Sequence, residues 1–134
     1  MGRRHQKITG FHTTLMQNTS FDFAGGENIL INSISLKGKI LNYVIKIELF
    51  KQYVDIIFDI VSIEGEITHK EIIEILFSDI YKIYKTKVAT KRIPFLILNL
   101  LVEEGLLYTD NGEDYILKSC DENINQWKKG FFSF

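Results

Sequence analysis

The stretch from Thr86 to Lys118, TKVATKRIPFLILNLLVEEGLLYTDNGEDYILK, decides how this chain folds. Thr86 or Thr90 is placed to cap a helix that Gly105 ends. Pro94 is tolerable near its front, because first-turn N–H groups have no intrahelical partner. Leu106–Thr109 and Tyr115–Lys118 then read as two strands around Asp110-Asn111-Gly112-Glu113. An Asn-Gly pair between apolar strands is the strongest short hairpin signal.

Upstream, SIEGEITHKEIIEILFSDIYKIY predicts a second helix. Gly65 stops whatever precedes it, Ile67 suits a short strand that pairs with the hairpin, and Thr68 with Glu71 three residues later forms a capping box. This helix is expected to bury Ile72, Ile75, Leu76, Ile80 and, at its end, Ile83, with His69 solvated in its first turn. Before it, Lys39 to Ser62 reads as one long helix, since Phe50, Tyr53, Val54, Ile57, Ile60 and Val61 recur on one face. Leu49, Ile56 and Phe58 lie off that stripe, so this helix is expected to be buried on two sides.

Residues 28–36, NILINSISL, suit a short strand or a short helix equally, because periodicity does not arbitrate over so few residues. Residues 1–27 carry Arg3, Arg4 and Lys7, a polar run and a Gly25-Gly26 pair. They read as a basic arm that meets the domain through Phe21 and Phe23, or as a disordered start. Downstream, DENINQWKKG predicts a fourth helix with Asp121 as cap, Ile124 and Trp127 on one face and Gly130 at its end. The aromatic tail Phe131, Phe132, Phe134 is expected to pack on its own domain or on a partner. The expected organisation is therefore an arm at 1–27, a helical domain with a small hairpin at 28–119, and a helix with aromatic tail at 120–134.

The totals narrow the function. With 134 residues, 46% hydrophobic and 25% charged, the chain has enough apolar material for one core. A formal charge of -1 argues against a protein that coats nucleic acid or membranes indiscriminately, so any such contact must come from local clustering. The single cysteine, Cys120, forms no internal disulfide and fits a reducing compartment. MGRRHQK is not followed by an apolar segment with a small-residue cleavage site, so no secretory signal is expected. The longest apolar run, Ile93 to Val102, is broken by Pro94 and Asn99 and falls short of the roughly 18 residues of a membrane span. A soluble, cytoplasmic protein without membrane contact is the expectation.

Catalytic signatures are missing: there is no phosphate loop, no GxSxG elbow and no ligand-spaced set among His5, His12, His69 and Cys120. The DNGED turn has too few correctly spaced oxygens for calcium. Eight acids against two lysines between Glu48 and Asp79 alternate with core positions and read as a solvated face. No enzyme activity, cofactor or metal is expected.

One constellation remains. From Lys82 to Val102 there are five cations, Lys82, Lys85, Lys87, Lys91 and Arg92, and no acid. They span the end of the second helix, a turn and the first turns of the third. Thr90 adds a hydroxyl, and the planar fork of Arg92 suits the O6 and N7 edge of guanine.

The order of three helices followed by a hairpin, with TKRIPFLILNLLVEEGLLYTDNGEDYILK as its last part, resembles the winged helix-turn-helix superfamily. There a Gly-Leu-Leu step joins recognition helix to wing and a Tyr-x-Leu strand returns. The likeness covers about residues 46–118 and extends to the small winged helices attached to restriction and other defence proteins. It implies a mainly α fold with a small hairpin, and a role as transcription regulator, as DNA-docking subunit or as protein adaptor.

Two functions follow as expectations. In the first, a homodimer or complex subunit binds double-stranded DNA through Lys82, Lys85, Lys87, Thr90, Lys91 and Arg92, with Arg3, Arg4 and Lys7 as an added grip. In the second, an adaptor presents its apolar third helix and Trp127, Phe131, Phe132 and Phe134 to a partner. The acidic wing tip, Asp110, Glu113 and Asp114, and the scarcity of polar residues after Arg92 favour the second.

Overall fold

The computed structural model describes residues 4–9, 16–23, 27–35 and 38–132. The chain divides into two compact units, one formed by the chain up to Gln52 together with that from Asp121 onward, the other by Tyr53–Cys120. Its architecture is mixed α/β rather than mainly α, and the difference lies in the first 46 residues.

In the first unit, strands β1 (Arg4–Thr9), β2 (Met16–Phe23), β3 (Asn28–Ser35) and β4 (Ile40–Lys46) form an antiparallel sheet in that order. Among the described residues, the expected arm at 1–27 contains strands β1 and β2, and the helix expected from Lys39 is preceded by strand β4. The register explains both. Phe21, Ile31 and Tyr43 lie opposite one another, as do Phe23, Ile29 and Ile45, and all six are buried. Asn42, Val44 and Lys46 alternate with them and are exposed, so this segment has the period of two of a strand. Helical spacing begins only with α1 (Ile47–Glu64), which follows β4 without a loop; the Ile47 N–H donates to the Glu27 carbonyl at 2.7 Å.

The same unit contains α4 (Asp121–Phe131), which runs one residue past Gly130. Its last residue fills the aromatic core. The Phe131 ring meets Phe23 edge-on at 4.9 Å and stacks on Trp127 at 4.8 Å, with Phe50 at 6.1 Å. Beneath the polar end of the sheet, the Thr19 and Ser33 hydroxyls are buried 3.2 Å apart and satisfy each other.

The second unit holds the rest of α1, then β5 (Ile67–Thr68), α2 (His69–Tyr84), α3 (Lys87–Glu103), β6 (Leu107–Tyr108) and β7 (Asp114–Leu117). Gly65, with φ +86°, ends α1 in a conformation that favours glycine. The capping box forms as expected: Glu71 N–H donates to Thr68 Oγ1 at 3.0 Å and Thr68 N–H to Glu71 Oε1 at 3.3 Å. Thr86 caps α3, accepting from Ala89 N–H at 3.0 Å. The short sheet has the order β5-β7-β6, with Ile67 opposite Tyr115 and Leu107 opposite Leu117. In the turn, the Asn111 side-chain oxygen accepts from the N–H groups of Glu113 (2.8 Å) and Asp114 (3.0 Å), while Gly112 takes φ +73°.

Three details depart from expectation. Pro94 is the eighth residue of α3, inside the helix rather than in its first turn, so the Thr90 carbonyl loses its i+4 donor. Every residue from Ile93 to Leu101 is buried, so α3 is a core helix over most of its length. On α2, Ile75 and Ile83 are exposed, and only Ile72, Leu76 and Ile80 form its buried face.

Candidate nucleic-acid interface

The cations between Tyr81 and Ile93 gather at the corner where α2 gives way to α3. Lys82 lies in the last turn of α2, Lys85 caps it, and Lys87 begins α3; these and Lys91 are exposed. Arg92 is half-buried and engaged within the chain. Lys85 adopts φ 58°, ψ 26°, the only non-glycine positive φ among the described residues. Glycine or asparagine is the usual occupant of such a left-handed cap, and a lysine there carries a backbone cost of order 1–2 kcal/mol.

The electrostatics of the corner are one-sided. Lys82 complements the negative C-terminal end of α2, but the first turn of α3 contains Lys87 and no acid, so a cation faces the positive end of the helix dipole. An anion docked there would relieve that arrangement.

Several expected contact residues are placed elsewhere. Thr90 is fully buried, and its hydroxyl donates to the Lys87 carbonyl at 2.6 Å; it does not reach solvent to meet phosphate. Arg4 and Lys7 belong to β1, not to an arm. Arg3 lies outside the described residues, as does Phe134. Phe131 is fully buried, and Trp127 and Phe132 are half-buried against it, so these three rings pack within their own unit. The apolar stretch of α3 is likewise buried within the chain.

His69, expected on the surface, is half-buried and tied to the hairpin turn and to α3. Its backbone N–H donates to Glu113 O at 2.8 Å, its ring lies 5.2 Å from that of Phe95, and it hydrogen-bonds to the Lys91 backbone. Nε2 is buried with no partner among the described residues. Beside it an open cleft of about 600 Å³ is lined by Lys70, Ile73, Glu74, Lys91, Glu113 and Asp114. Burial holds the imidazole below its usual range, against smaller opposing effects from the Lys91 backbone and Glu113. Below the unfolded value of about 6.5 the unfolded chain therefore binds the proton more readily. Stability from this residue is present above that pH and lost as pH falls through the lower folded value. In urea unfolding at a series of pH values from about 7.5 to 5, wild type should weaken more steeply than His69→Gln. Parallel pH profiles would contradict this.

The signal for His69 was its place one residue after the cap, where the chain passes under the hairpin. The exposed pair Phe77 and Tyr81, spaced i, i+4, has no local sequence signal that sets it apart from core; their rings stack 5.7 Å apart at 7°. Among the described residues, no group of three or more His, Cys, Asp or Glu is placed to hold a metal ion, and no helix is long and apolar enough to cross a membrane. Comparison with family models, with characterised proteins and with solved structures gives no match to this chain.

Proposed function

We propose that this chain is a non-catalytic DNA-binding protein whose second unit is a winged helix, acting as a regulator or as the DNA-docking subunit of a larger assembly. The observation that carries the reading is the α2–α3 corner, where Lys82, Lys85, Lys87 and Lys91 are all exposed and no acid occurs from Lys82 to Val102. Support for the winged helix comes from the order helix, strand, helix, helix, hairpin, with the first strand paired to the last. Binding would be dominated by the sugar-phosphate backbone, because only the first turns of α3 are open to solvent and the hairpin tip is acidic. A left-handed lysine and an uncompensated cation at the start of α3 are both unfavourable for folding alone, which suits a surface retained for binding an anion.

The test is the double reversal Lys87→Glu, Lys91→Glu. Removing two phosphate contacts should weaken binding at low salt and lower the slope of log affinity against log salt by about 1.8 on duplex DNA. Lys87→Glu alone should leave the fold as stable as wild type or about 0.3–1 kcal/mol more stable, since it places an anion at the α3 N-terminus. Opposite signs for binding and stability separate lost contact from unfolding. Equal affinity and slope in wild type and double variant would overturn the reading.

A further inference from the structure

Most of α2 is explained by the core it covers, but one flank is not. With Ile72, Leu76 and Ile80 turned inward, Phe77 and Tyr81 lie on another side, 39% and 43% exposed. Their rings are close to parallel, at 7°, with centroids 5.7 Å apart. Two large rings exposed side by side form a small contiguous apolar patch on which a flat ligand can stack. Lys82 follows Tyr81 directly, Lys85 lies one turn beyond it, and Lys87 opens the next helix.

We infer that this flank takes unpaired nucleic acid, with bases stacking on Phe77 and Tyr81 while Lys82, Lys85 and Lys87 hold the phosphates that follow. The inference rests on the proposed binding corner and names the form of nucleic acid it accepts. Stacked aromatics beside a cationic track are what a single strand requires, because its bases are open to a ring and its backbone is anionic. Duplex DNA hides its base faces and is read by an element that enters a groove. Here the helix in the position to do so is buried from Ile93 to Leu101, and the hairpin tip carries exposed Asp110, Glu113 and Asp114. The cations beside the rings distinguish this flank from a purely apolar protein contact.

Fluorescence anisotropy of the full chain with a labelled oligothymidine of about 20 nucleotides, and with a duplex of the same length, tests the inference. Wild type should bind the single strand more tightly than the duplex. The double variant Phe77→Ala, Tyr81→Ala should lose about tenfold or more on the single strand, with little change on the duplex, and Tyr81→Trp should retain single-strand binding. Both rings are exposed, so the variants should keep the wild-type far-ultraviolet circular dichroism, and the wild-type preference is a readout independent of either. A duplex preference in wild type, or single-strand affinity untouched by removing both rings, overturns the inference. If the lysine reversals still weaken duplex binding and lower its salt slope in that case, the broader proposal survives without it; absence of binding to either form brings down both.

Discussion

Phe131→Ala is expected to cost about 3–5 kcal/mol, a large part of the stability of a unit this size. The ring is fully buried and packs against Phe23 from β2, Phe50 from the start of α1 and Trp127 from its own helix. Deleting it removes the transfer free energy of a whole aromatic ring and leaves a void between rigid neighbours. Phe132→Ala should cost less, because that ring is only half-buried, though it too contacts Phe50 and lies 5.6 Å from the Lys51 ammonium. Urea unfolding followed by circular dichroism and by the fluorescence of Trp127, the only tryptophan, measures both. A cost under about 1 kcal/mol for Phe131→Ala would mean that the residue is not core.

The second large effect separates the two ends of α3. Leu98 is fully buried, and Leu98→Ala should destabilise by about 2–5 kcal/mol. Val88, in the first turn and 50% exposed, should tolerate alanine within about 0.5 kcal/mol. An α3 that offered its apolar length to a partner would give the reverse pattern: Leu98→Ala would leave the isolated chain stable and would weaken only a complex. Thermal denaturation of the two variants distinguishes the cases.

The second unit was largely legible because its signals are local. Thr68 with Glu71, Gly65, Thr86, Gly105 and the Asn111-Gly112 turn each act within a few residues, and the elements they bound are found close to where they were expected. The four-stranded sheet was not legible, for reasons visible in its residues. Asn, Ser and Thr interrupt β2 and β3, and two inward positions, Thr19 and Ser33, are polar because each satisfies the other across the strands. The Gly25-Gly26 pair between FDF and NILINSIS was the hairpin signal available, and the alternation from Asn42 to Lys46 was hidden by the helical spacing that starts at Phe50. The fate of Phe131 depended on Phe23 and Phe50, far away in sequence, and local patterns do not report such pairings.

At the candidate interface the lysines were legible because long charged side chains stay wet wherever a helix ends. Thr90 was not. A threonine hydroxyl three residues after a helix start has the alternative of bonding its own backbone, and burial by neighbours decides between that and a ligand. The exposure of Phe77 and Tyr81 was equally hidden, since aromatic rings on a helix read as core until the covering elements are known.

The first unit is assembled from two separated parts of the chain, and this governs when it can form. Its sheet is complete at Lys46, but the helix bearing Phe131 ends some 85 residues later, as 131 less 46. At ordinary rates of synthesis that is a delay of roughly 4–17 s during which Phe23 and Phe50 lack the ring of Phe131. A nascent chain in that interval presents a wet apolar sheet to whatever surrounds it. The ribosome and chaperones thus bear on the yield of folded protein, and slower translation between residues 46 and 121 should lower the soluble yield measured at a fixed total synthesis.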